Sequence, residues 1–152
     1  MMRHLAPLSH DNRGAIAIET AMVAPVLLLL SLGAFQASEV VARHNELQSA
    51  VGEASTAVLA VAPTTSGELT TLKNVVAAST NLPSSKVTLT FKYRCGEATA
   101  YVNSPSGCSD FFSTYVEIVL SDTYNPVWTA YGITEPINLS VTRYVITRQS
   151  EE

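Results

Sequence analysis

The chain has 152 residues, a formal net charge of −4, 47% hydrophobic side chains and 14% charged ones, with a mean hydropathy of +0.20. That length supports one modest domain, and charge so far below the roughly 25% of soluble domains places part of the chain outside water. Nine Lys and Arg against thirteen Asp and Glu leave no basic surface for phosphates, which excludes nucleic acid as a partner.

The first fourteen residues, MMRHLAPLSHDNRG, carry Arg3 and Arg13 against Asp11, with His4 and His10 between them. The 23 residues from Ala15 to Ala37 are then apolar apart from a single charge, Glu19. A helix of that length spans a bilayer, which takes about 20 residues. Later apolar runs such as 115–120 are short and broken by Glu117, so one span is expected. The basic leader stays in the cytoplasm and the long C-terminal part lies outside. Two readings of this segment follow from the residues alone: an uncleaved signal anchor and an ordinary secretory signal removed near Ala37-Ser38-Glu39. Neither uses the placement of Gly14 and Glu19, a glycine closing the basic leader and an acid five positions after it inside the apolar run. A carboxylate in hydrocarbon costs up to about 2.5–3.5 kcal/mol at a helix centre and less near an end.

Arg13-Gly14-Ala15-Ile16-Ala17-Ile18-Glu19, then Ala24-Pro25-Val26 and a leucine run, resembles the class III signal of prepilins, and specifically the TadE-like minor pseudopilins of the tight-adherence (Flp) pilus system. Gly14 and Glu19 carry the resemblance; Thr20 departs from it, since an aromatic commonly follows the glutamate. The resemblance implies a non-enzymatic, pilin-like protein of the bacterial inner membrane with a periplasmic C-terminal domain, taking part in pilus assembly. The implied partners are a prepilin peptidase cutting between Gly14 and Ala15, the major Flp-type pilin, other minor pseudopilins and the inner-membrane assembly platform. The competing function is a signal-anchored periplasmic binding module that does not assemble.

Glu19 has a physical role independent of the family. Cleavage after Gly14 releases an ammonium at Ala15 close enough to pair with Glu19 of the same or a neighbouring chain. Unit charges about 4 Å apart attract by about 4 kcal/mol at an effective dielectric near 20, enough to offset burial and to select one axial register. The plainer reading is that Glu19 snorkels to the headgroups. Pro25 removes a backbone donor within the span and predicts a mild kink. Ala17, Ala21, Ala24, Gly33 and Ala37 offer small faces to another helix.

Beyond the span, Val40, His44, Leu47, Val51, Ala54, Val58 and Val61 alternate steps of four and three, one stripe of a continuing helix. A helix over 15–62 has 48 residues and about 72 Å, so residues 38–62 form a stalk and 63–152 the globular domain. Thr65 and Glu68 fit a capping box opening a short helix over 67–79, with Leu69, Leu72, Val75 and Val76 on one side. Residues 81–85 break it. Val87, Leu89, Phe91 and Tyr93 then alternate with polar residues as a half-buried strand, 98–103 form a return, 104–107 a turn, 111–120 a second strand and 137–148 a last one. The expected class is α+β: a long N-terminal helix packed on a small antiparallel sheet.

Cys95 and Cys108 flank twelve residues; their closure suits an oxidising periplasm and contributes about 3 kcal/mol on the chain-entropy estimate. No C-x-x-C, zinc spacing, phosphate loop or nucleophile elbow is present, so neither catalytic residues, metal nor cofactor are expected. His44 has no ligand at helical spacing and reads as a core or groove residue. Glu117 and Asp122 read as solvated strand acids, and Asn138-Leu139-Ser140 as a chance sequon. Tyr124, Trp128 and Tyr131 around Asn125-Pro126 and Gly132 make an aromatic turn near the distal sheet edge, either a binding patch or the cap of a small core.

Overall fold

A computed structural model describes residues 13–108 and 111–149. All but the end of the expected leader, with Arg3, His4, His10 and Asp11, lies outside the described residues. The order is α1 (Arg13–Val61), α2 (Ser66–Ser79), β1 (Val87–Cys95), β2 (Phe112–Tyr124) and β3 (Ile137–Gln149). Two compact units divide the chain, one ending at Glu39 and one beginning at Val40, so α1 contributes to both.

In the second unit, Leu47, Val51, Ala54 and Val58 of α1 are buried at the expected spacing, and the Ser55 hydroxyl there donates 2.6 Å back to the Val51 carbonyl. The stripe ends one step early: Val61 is exposed. Ala62 takes a left-handed conformation at φ 44° while its N–H bonds the Val58 carbonyl at 2.8 Å, and Pro63 has no N–H to continue the helix. α2 carries the predicted capping box in full. Thr65 Oγ1 accepts from the Glu68 N–H at 3.3 Å, while Glu68 Oε2 accepts from the Thr65 N–H at 3.1 Å and from the Thr64 N–H at 2.6 Å. Those backbone donors, Thr64 first, hold the Glu68 carboxyl below its ordinary range. Leu69, Leu72, Val76 and Ala77 are buried; Val75, expected inside, points out, because Ala77 completes the stripe instead.

The sheet is antiparallel in the order β1-β2-β3. Val87 faces Leu120, Leu89 faces Ile118 and Phe91 faces Val116, which in turn faces Val145. This face and the apolar stripes of both helices form one core, with Val58, Val87, Val116, Ile118 and Leu120 wholly buried. The long helix, antiparallel sheet and α+β class therefore stand as read. β2 runs on past Leu120 to Tyr124.

The return between β1 and β2 pairs with β1 at a single point among the described residues: Val102 bridges Tyr93, the two exchanging N–H···O bonds of 2.8 and 2.9 Å. A Cys95–Cys108 disulfide, Cα atoms 5.2 Å apart, closes the loop. Two glycines and a proline within it prevent a regular ladder. The loop instead covers the sheet face opposite the helices. The Tyr101 ring stacks on Tyr144 at 4.1 Å and meets Tyr115 edge-on at 5.1 Å, which is why Tyr115 is buried on the face that faces away from the core.

Candidate functional site

Among the described residues the first unit consists of the N-terminal part of α1, and none of them is buried beyond the part-shielded Gln36. Its apolar stretch has a mean hydropathy of 2.2, and none of the residues in that stretch is buried. Eleven large apolar side chains from Ile16 to Phe35 stand exposed, far more than a soluble surface carries in one patch. By length and composition this helix is able to cross a membrane. Its hydroxyls are satisfied internally: Thr20 Oγ1 donates 2.9 Å to the Ile16 carbonyl and Ser31 Oγ 2.8 Å to that of Leu27. Glu19 is the one ionisable side chain between Gly14 and Ser38.

The helix includes every residue singled out in this segment. Gly14 lies inside α1, and a Cβ built there meets nothing within 4 Å. Its backbone is helical, where glycine costs about 1 kcal/mol against alanine, so the fold itself gives no reason for a glycine. Ala15 and Glu19 are four residues apart, one turn and about 6 Å of rise, on the same side of the helix. Pro25 sits within the helix, which continues through it without interruption.

Residues 14–56 match the family model of TadE-like proteins. This N-terminal segment is similar to TadE-like proteins. The match opens at Gly14 and extends through the apolar run into the buried stripe of α1; α2 and the sheet lie beyond it. No curated protein and no solved structure matches the chain.

Among the described residues there is no group of three or more His, Cys, Asp or Glu placed to hold a metal ion. His44 is half-buried, its ring 3.0 Å from Gln48 Nε2. Glu117, expected to be merely solvated, is the hub of a polar cluster. It accepts from Tyr144 Oη at 2.7 Å and Thr90 Oγ1 at 2.9 Å, and pairs with Lys92 at 3.5 Å. The Tyr144 hydroxyl above all holds its carboxyl below the usual range, and the same bond raises the Tyr144 phenol. Lys92 also donates 2.8 Å to Asn103 of the disulfide loop, and the Arg94 guanidinium lies 5.5 Å over the Tyr115 ring. Alternation along β2 places Glu117 and Tyr115 on one face, but only the loop closure brings Tyr101 and Asn103 there.

A cleft of about 450 Å³ lies at the C-terminal end of α1, between Ala62, Pro63, Phe91, Tyr93, Phe112 and Arg148. The aromatic turn sits at the other end of the same unit. Asp122, near the end of β2, shares a cleft with Arg43, Glu46 and Leu47, so residues 125–136 leave the sheet where α1 enters the unit, not at its distal edge. There Val127–Tyr131 form a 3-10 turn closed by Gly132 at φ 68°. Pro126 is buried and Trp128 half-buried, whereas Val127 and Ile133 are 63% and 67% exposed.

Proposed function

We propose that this chain is a minor pseudopilin of a tight-adherence (Flp-type) pilus, processed after Gly14 by a prepilin peptidase and assembled through α1. The observation that carries this reading is a match to TadE-like proteins that opens at Gly14, on a helix whose large apolar side chains from Ile16 to Phe35 stand exposed among the described residues. Before processing, the segment anchors the protein in the inner membrane with residues 38–152 in the periplasm, where a disulfide is at home. A glycine that the fold does not require is consistent with a requirement imposed by the peptidase's active site.

Cleavage leaves an ammonium on Ala15 at the positive end of the helix dipole, an unfavourable place for a cation. Glu19, one turn on, offsets it within the chain or across to a neighbouring subunit. A cross-chain pair selects the axial stagger at which the helix packs beside the major Flp-type pilin, another minor pseudopilin or the assembly platform. Pro25 leaves the Ala21 carbonyl without its intrahelical donor, which lets the span bend as it leaves the bilayer.

N-terminal sequencing of the membrane-extracted protein is the test. Ala15 at the terminus is expected; Met1 supports the non-assembling anchored module, and Ser38 or Glu39 a secreted protein. Gly14→Val leaves an otherwise folded precursor and no fibres. Glu19→Ala leaves processing intact and lowers fibre yield at least tenfold, the counterpart of losing about 1.4 kcal/mol of register energy. Normal fibres from either variant refute the reading.

A further inference from the structure

The connection between β2 and β3 has the composition of a lipid-contacting turn. Val127 and Ile133, at 63% and 67%, are the most exposed large apolar side chains among the described residues of this unit, ahead of Val41, Leu59 and Val75, and Ile137 is 39% exposed. Trp128 stands beside Val127, and Tyr124 ends β2. Tryptophan and tyrosine favour the layer where headgroups meet acyl chains. No Lys or Arg occurs from Tyr124 to Thr142, so the patch has nothing to recognise phosphate, and Glu135 is its only acid. Apolar insertion into an uncharged layer is the chemistry that remains.

Chain length limits the distance between this turn and a membrane that α1 spans. Asp122 shares its cleft with Arg43 and Glu46, and Arg43 lies seven positions after Gln36, next to the end of the apolar run at Ala37. Even fully extended, seven residues reach about 25 Å, less than the thickness of the hydrocarbon core. From this tether and this surface we propose that residues 125–136 insert Val127 and Ile133 shallowly into the periplasmic-side interface of the bilayer that α1 spans, with Trp128 at headgroup depth. The proposal rests on the membrane-anchored reading above, but not on cleavage or fibre formation.

The chain contains one tryptophan, so the turn carries its own reporter. Full-length protein is reconstituted into phosphatidylcholine vesicles whose acyl chains are brominated near the headgroup or near the methyl end. Trp128 emission is expected to be blue-shifted and strongly quenched by the shallow bromines, weakly by the deep ones, and unaffected by salt. Val127→Asp with Ile133→Asp, both at exposed positions, removes the shift and the quenching while leaving circular dichroism unchanged. Unquenched Trp128 in the parent protein, or equal quenching in the double variant, overturns the proposal. A Trp128→Phe, Phe35→Trp protein separates the two levels. Quenching of the residue-35 reporter without quenching of Trp128 refutes the interfacial turn alone; quenching of neither refutes the membrane span as well.

Discussion

At the scale of single residues, the second unit depends on a few polar side chains whose partners lie far away in sequence. Glu117 accepts from Thr90 on one neighbouring strand and Tyr144 on the other, tying three strands through one carboxylate. Its folded pKa is depressed, so its stabilising contribution is complete above the unfolded carboxylate range, near pH 4.3, and is lost as pH falls through the folded value. Tyr144 shifts the other way: its contribution is complete below about pH 10 and is lost as pH rises through its folded value. Glu117→Gln is therefore expected to lower the melting temperature at pH 7 by a few degrees and by much less at pH 3. An equal drop at both values refutes the ionised pairing. Sequence alone treats this glutamate as one more solvated strand acid, because nothing local marks Tyr144, 27 residues away, as its donor.

Secondary-structure elements were easier to read, and the misreadings have identifiable causes. The four-and-three spacing of Leu47, Val51, Ala54 and Val58 is enough to locate the buried stripe of α1. Local backbone chemistry is equally legible in Thr65 and Glu68, whose reciprocal bonds need no tertiary partner. Removing the cap with Thr65→Ala is expected to cost about 1 kcal/mol, read as a lower urea midpoint with unchanged slope. No change in midpoint discounts the cap. Val61 and Val75 continue their patterns on paper but stand exposed, since helix ends and stripe edges are decided by what lies opposite. Residues 98–103, expected as a return, pair at one point only, for a related reason. Loop closure by Cys95 and Cys108 leaves room for a single bridge at Val102, and the tyrosine stack, not a ladder, holds the segment down. The position of the aromatic turn was not legible either, because it depends on β2 running antiparallel to α1 and returning to where that helix enters the unit.

Considered as a whole, the molecule joins a helical segment whose large apolar side chains stand exposed among the described residues to a unit with a single core. The core of that unit is small, and the disulfide adds to its stability by restricting the unfolded chain. Replacing Cys95 and Cys108 together by serine is expected to cost about 3 kcal/mol in equilibrium unfolding and to release Tyr101 from Tyr144, seen as loss of near-ultraviolet dichroism. A double variant as stable as the parent shows that the stack alone holds the loop. The two borders of the sheet are unlike. On the β1 side the Val102 bridge occupies part of the margin, whereas β3 presents its outer margin along 13 residues. Two exposed arginines, Arg143 and Arg148, punctuate that bare strand, and positive charge on such a margin discourages a like strand from zipping onto it. At high local concentration that repulsion keeps copies of this chain from stacking edge to edge in an amyloid-like way.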